Sequence, residues 1–210
     1  MEESIRILRL LLVDDHPLFR AGVAAVLSKQ TGMKVVAEAG DGNEAIRLYR
    51  EHRPDVALID LRMPGLGGVE AISIIISEDP QARILVLTTY YGDVEALRAL
   101  KAGAAGYLLK TSLLDELSVA VRRVAEGHKY LPSEVAAGLA THSIDEPLTL
   151  REIAVLQSVA AGNSNNLVAH ELTISEETVK SHMKAIMGKL DARDRTHAVC
   201  IGIRRGIISG

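Results

Sequence analysis

Tryptophan is absent and phenylalanine occurs once, and aromatics make up only 3% of 210 residues. The core must therefore be aliphatic, and the stacked aromatic platforms of single-stranded nucleic-acid binders are excluded. A single cysteine, Cys200, rules out an internal disulfide, and no metal-ligand spacing surrounds it. That usage fits a reducing compartment. No apolar run approaches the roughly 20 residues needed to span a bilayer. The N-terminus also lacks the basic, apolar and small-residue order of a signal peptide, so a cytoplasmic location away from membranes is expected. Neither sign of charge dominates. The net charge is −3, the acidic excess falls within residues 1–144, and the remainder is balanced and so less repulsive to a polyanion.

What is abundant is aliphatic sequence, with 48% of residues hydrophobic, enough for one large or two small cores. From Ile5 to Val13 it is nearly continuous and ends in Asp14-Asp15-His16-Pro17, as a buried strand would that delivers acids to its carboxyl end. Lys34–Ala37, Asp55–Ile59, Arg83–Leu87 and Gly106–Leu109 read as further strands. Between and after them, apolar residues at helical spacing predict helices over 18–27, 41–51, 68–77, 93–101 and 112–126. Five strand–helix units with short connections predict an α/β, doubly wound parallel sheet with helices on both faces. It should end near Gly127. A weakly patterned linker follows over 128–147, with a short helix at Ser133–Ala140, and then a smaller all-helical domain over 148–210. Its helices are expected at 150–161, 165–171, 176–190 and 195–205, the first opened by a Thr149–Glu152 capping box.

Strand ends one, three, four and five carry Asp14 and Asp15, Asp60, Thr88 and Lys110 to one edge of the sheet. Asp60 is followed by Leu61-Arg62-Met63-Pro64-Gly65, a turn that forbids continued strand. Converging carboxylates need a raised pKa or a cation, and hard oxygen ligands suit Mg²⁺. Lysine and threonine can hold phosphoryl oxygens, and an aspartate can itself be the nucleophile. Each residue also has an ordinary reading. Asp60 could cap a turn, Lys110 form a surface ion pair, Thr88 and Tyr107 fill a strand, and His16 serve as a turn residue.

At Val13-Asp14-Asp15-His16, Leu58-Ile59-Asp60-Leu61-Arg62-Met63-Pro64-Gly65, Leu87-Thr88 and Gly106-Tyr107-Leu108-Leu109-Lys110, the chain resembles the receiver domain of bacterial response regulators, over residues 5–127. The resemblance implies a flavodoxin-like (βα)5 fold and a partner histidine kinase that phosphorylates Asp60. It also implies Mg²⁺ held by Asp15 and Asp60, by Asp14 usually through water, and by the Arg62 carbonyl. Lys110 and Thr88 would hold the phosphate. Thr88 would move toward it while Tyr107 turns inward, reshaping the surface of the fourth helix and fifth strand.

In the second domain, Val168–Lys180 reads as a helix, a tight turn and a helix capped by Ser175. Val179, Met183, Ile186 and Leu190 form one apolar stripe, and Lys180, Ser181 and Lys184 lie on another face, either solvated or aimed at a major groove. Residues 147–208, including Leu148-Thr149-Leu150-Arg151-Glu152, Ile174–His182 and Arg195-Thr196-His197-Ala198-Val199, resemble the LuxR-type DNA-binding domain. By that resemblance Lys180, Ser181 and Lys184 would face bases. Thr178, His182, Lys189 and Arg195 would contact phosphate or orient the recognition helix, and the last helix would carry a dimer contact. The family commonly has Lys-Glu-Ile where Asn166-Leu167-Val168 stands, which removes one charge and implies a shallower salt dependence. Gly188, inside the expected recognition helix, costs roughly 1 kcal/mol relative to alanine.

The expected molecule is a two-component response regulator of the NarL/LuxR type, a homodimer on double-stranded DNA or when phosphorylated, and not an enzyme beyond slow self-dephosphorylation. Two rival readings are a phosphorylation-independent DNA-binding factor with a vestigial receiver, and a small phosphohydrolase. The latter would need a base to activate water, and none is evident.

Overall fold

The structure, a computed structural model, describes residues 7–89, 93–133, 135–137 and 147–208. The chain divides into two compact units, the first carrying the sheet and the second the helices that follow Pro147.

The first unit is a five-stranded parallel sheet in the order β2-β1-β3-β4-β5. Its strands are β1 (Leu8–Val13), β2 (Met33–Ala39), β3 (Val56–Asp60), β4 (Ile84–Thr88) and β5 (Gly106–Leu109). They alternate with α1 (Pro17–Ser28), α2 (Gly42–His52), α3 (Gly68–Glu78), α4 (Asp93–Lys101) and α5 (Leu113–Ala125). Every residue of β3, β4 and β5 is buried, as expected of strands covered on both faces. Leu10, Leu12 and Leu58 pack into a cluster with Val23 and Leu27 of α1 and Leu117 and Val121 of α5. The intervening Leu11, Val13, Ala57 and Ile59 are equally buried, because successive side chains leave a strand on opposite faces. The order reverses between β1 and β3. In open α/β sheets such a reversal opens a crevice at the carboxyl ends of the strands.

Local chemistry sets the helix starts. Pro17 opens α1, where its missing amide has no partner to lose. Asp41 caps α2 by accepting hydrogen bonds from the Asn43 and Glu44 amides. A side chain on Gly68, the first residue of α3, would put its Cβ 2.1 Å from the Asp60 carbonyl oxygen. Only glycine lets that helix begin so close to the exit of β3.

Several boundaries differ from the sequence expectation. β2 runs to Ala39 rather than Ala37, because its pairing with β1 resumes after an irregularity between Leu10 and Leu11. Asp60 and Thr88 are the last residues of their strands rather than the first beyond them, held by pairings with Leu87 and Leu109. The chain also does not leave the sheet at Gly127. The Tyr107 amide donates to the Tyr130 carbonyl and the Tyr130 amide to the Ala105 carbonyl, binding the returning segment to the edge of β5. Of the helix expected at 133–140, residues 133 and 135–137 are helical, while 134 and 138–140 lie outside the described residues. So do Ile5 and Arg6 of the expected first strand.

The second unit contains α6 (Leu150–Ala160), α7 (Asn165–Leu172), α8 (Glu176–Lys189) and α9 (Arg195–Arg204). The Thr149 hydroxyl accepts from the Glu152 amide while the Glu152 carboxylate accepts from the Thr149 amide, completing the capping box. α7 ends at Thr173 in the left-handed region, φ 54°. Ser175 then caps α8 by accepting from the Thr178 amide. Val179, Met183, Ile186 and Leu190 are all buried, in a cluster with Val155, Leu156 and Val159 of α6 and Val168 of α7.

Candidate functional sites

Asp14 follows β1 and Asp60 ends β3, so the acids flank the point where the strand order reverses. Lys110 begins the short 3₁₀ turn after β5. Its Nζ lies 2.6 Å from Asp60 Oδ2 and 2.6 Å from Asp14 Oδ2, with all three side chains nearly sealed from solvent. It hydrogen-bonds to Asp60 and forms an equally short ion pair with Asp14. The Phe19 ring of α1 lies 4.4 Å from the same ammonium, a cation–π contact that holds its face. Asp14 Oδ1 accepts from the His16 amide at 2.9 Å, and the His16 ring stands on Asp15 with Nδ1 2.7 Å from Oδ1. The Arg62 amide reaches back to Asp60 Oδ1 at 3.4 Å.

Burial pushes the Asp60 carboxyl up. Lys110 opposes this and Asp14 adds to it, leaving Asp60 above the usual carboxylate range. Burial pushes Lys110 down, but its bonds to Asp14 and Asp60 outweigh that and hold it above its usual value. Two carboxylates thus share one ammonium with Asp15 close by, and the site is short of positive charge. Ligand atoms of Asp14, Asp15, His16 and Asp60 all lie within 4.8 Å of one another, and beyond their contacts with Lys110 and His16 the buried Asp14 Oδ2 and Asp15 Oδ1 have lone pairs left to offer. A hard divalent cation fits this donor set. Thr88 is fully buried at the end of β4, and Tyr107 is fully buried in β5.

On α8, Lys180, Ser181 and Lys184 are exposed on one side and His182 is half-buried. Lys180 makes a loose contact with Glu177 at 3.4 Å, which in solvent contributes little. The Thr178 hydroxyl bonds to that of Ser175 at 2.8 Å. Lys189 and Arg195 stand apart from this group. Lys189 Nζ is 3.0 Å from Glu152 Oε2 and only 15% exposed. Arg195 donates to Asn165 Oδ1 at 2.8 Å and to the Asn163 carbonyl. Burial pushes the Glu152 carboxyl up, but the Thr149 amide and Lys189 outweigh it and hold it below the usual carboxylate range.

These two sites agree with what the chain is similar to. Residues 10–122 match the response regulator receiver domain, and residues 146–201 match bacterial regulatory proteins of the luxR family. The transcriptional regulatory protein LiaR of Bacillus subtilis is 40% identical, with 96% of this chain and 100% of LiaR covered. The chain belongs to the NarL/LuxR-family response regulators. YxjL of B. subtilis, an uncharacterized transcriptional regulatory protein, is 41% identical over 96% of this chain and 97% of its own. The structure of the response regulator RcsB in complex with DNA superposes with a TM-score of 0.69 at 27% identity, covering 93% of this chain and 98% of RcsB. No helix of this response regulator among the described residues is long and apolar enough to cross a membrane.

Sequence reasoning missed four residues of the two sites. Phe19 looked like one more apolar residue of a helix. Glu152 was visible as a cap but not as the partner of Lys189, 37 residues away. Asn163 and Asn165 gave no sign of receiving Arg195. A lone phenylalanine in a chain so poor in aromatics was the one usable signal.

Proposed function

We propose that this response regulator accepts a phosphoryl group on Asp60 from a histidine kinase and that phosphorylation controls its binding to double-stranded DNA. The observation that carries the reading is Lys110, buried between Asp14 and Asp60 at 2.6 Å from each. An Asp60 oxygen attacks phosphorus as the bond from phosphorus to the kinase imidazole nitrogen breaks, giving an acyl phosphate and a free imidazole. Lys110 then leaves Asp60 Oδ2 for the phosphoryl oxygens, and the Thr88 hydroxyl donates to another. Asp14, Asp15, Asp60 and the Arg62 carbonyl would hold Mg²⁺, whose charge would offset that of the carboxylates and the incoming phosphoryl group. Tyr107, buried in the neighbouring strand β5, is part of the switch.

In the second unit Lys180, Ser181 and Lys184 meet base edges in a major groove, and Thr178, His182, Lys189 and Arg195 contact phosphate or orient α8. The RcsB complexes, one described as two dimers on two DNAs, support a homodimer on DNA, since one small module makes few contacts. The proposed boundaries are a receiver over 5–127, a linker over 128–147 whose first residues bind β5, and a DNA-binding domain over 148–210. A cytoplasmic location follows from these partners.

The test is intact-mass measurement after incubation with Mg²⁺ and a small phosphodonor, followed by DNA footprinting. One added phosphoryl group in wild type and none in Asp60→Asn is expected, together with stronger footprints after phosphorylation. Equal footprints from phosphorylated wild type and Asp60→Asn would remove the switch.

A further inference from the structure

Lys189 closes the recognition helix α8, yet its charge does not face outward. Its ammonium lies on the Glu152 carboxylate at 3.0 Å, with side chains 15% and 6% exposed, and reaches the Pro147 carbonyl at 3.4 Å. The same carboxylate oxygen accepts from the Thr149 amide at 2.7 Å. Glu152 also lies in the first turn of α6, where the helix dipole favours an anion. A buried ion pair is weak evidence for stability, because desolvation offsets much of the attraction, and its best-attested use is fixing one arrangement among several. An apolar stripe such as Val179, Met183, Ile186 and Leu190 sets how deeply a helix packs but resists rotation about its axis only weakly. A directional contact at the carboxyl end adds what the stripe lacks. Lys180 lies nine residues before Lys189, about 13 Å along the helix axis, so a small rotation or tilt at Lys189 displaces the side chains aimed at the bases.

We propose that Glu152 and Lys189 are positioning residues that fix the orientation of α8, and that Lys189 is not a phosphate contact. The inference rests on the DNA-binding reading above and deepens it. It separates two roles that the sequence left together, orienting the recognition helix and neutralising phosphate. Once paired, Lys189 brings no net charge to the DNA face.

The test uses the full chain, a duplex selected by wild type from a random pool, and poly(dI–dC) as non-specific DNA. Removing one phosphate contact should lower the slope of log affinity against log salt by about 0.9. For Lys189→Met the expected result is an unchanged salt slope. Affinity for the selected duplex should fall on the order of tenfold, the scale of one mismatched base pair, and affinity for poly(dI–dC) by less than about twofold. Glu152→Gln, which keeps an oxygen for the Thr149 amide, should lose the same preference, and Lys189→Arg should restore it. Circular dichroism sets the temperature at which each variant is folded, and Glu152→Gln carries the test if Lys189→Met does not fold. A slope reduced by about 0.9, with both affinities falling together, would make Lys189 a phosphate contact and overturn the proposal. Loss of stability with an unchanged preference for the selected duplex would also overturn it. If wild type selects no duplex, the DNA-binding reading itself fails, and this inference with it.

Discussion

Two lysines of this protein are drawn from water onto carboxylates, and their surroundings differ in one respect. Lys189 meets one carboxylate that is already held by an amide and a helix start, and the charges balance. Lys110 meets two, with Asp15 close by, and they do not balance. The pKa directions record the contrast, since Glu152 is held below its usual range and Asp60 above it. A satisfied buried pair favours one arrangement. An unsatisfied one keeps affinity in reserve for something that brings positive charge, which is why the second reads as a site and the first as part of the frame.

The sharpest way to break the comparison is to remove Lys110. Lys110→Met leaves Asp14 and Asp60 buried without their cation, and a cost of about 3 kcal/mol or more is expected. Urea unfolding in the presence of a metal chelator measures it, and added Mg²⁺ should recover more stability in this variant than in wild type. A cost below about 1 kcal/mol would mean that the acids never relied on Lys110.

Acid should act through these two carboxyls in opposite directions. A carboxyl held low, as Glu152 is, contributes stability that is present above its unfolded pKa and lost as pH falls through its folded one. A carboxyl held high, as Asp60 is, contributes stability that is present below its unfolded pKa and lost as pH rises through its folded one. Hydrogen exchange followed separately in α8 and β3 between neutral pH and the carboxylate range should show α8 losing protection first. Glu152→Gln should flatten the response of α8, and Asp60→Asn that of β3. Parallel loss of protection in the two units of wild type would contradict this.

The smallest effect belongs to Gly188, exposed in α8 with open space for at least 4 Å around the place a Cβ would take. Gly188→Ala should stabilise the helical unit by about 1 kcal/mol or less, read as a higher midpoint in thermal unfolding. It should leave the preference for the selected duplex intact, because beyond its own chain neighbours the added methyl meets nothing within 4 Å, Glu152 included.

Much of this architecture was legible in the sequence because its signals were local. Apolar runs ending in acids marked the parallel strands, and Ser175 and the Thr149–Glu152 box marked helix starts within three residues. The acids at the strand ends were legible for the same reason, since a parallel sheet delivers every strand end to one edge. What escaped was non-local or weakly patterned. The half-exposed pattern of β2 hid its last two residues, and the Tyr130 return to β5 depends on backbone groups that carry no side-chain signature. The partnership of Lys189 with Glu152 spans three helices and belongs to no periodicity. Nor does the sequence by itself show that the Tyr107 ring is enclosed.

The single phenylalanine has a consequence in optics. A chain without tryptophan is dark to light that excites only indole, so an indole placed at Phe19 would glow against no background. Lying over the Lys110 ammonium, it would register the moment that ammonium turns from Asp60 to a phosphoryl group, as a change of colour or brightness in real time. Scarcity of aromatics, which first excluded functions, thus leaves one position from which the switch could be watched.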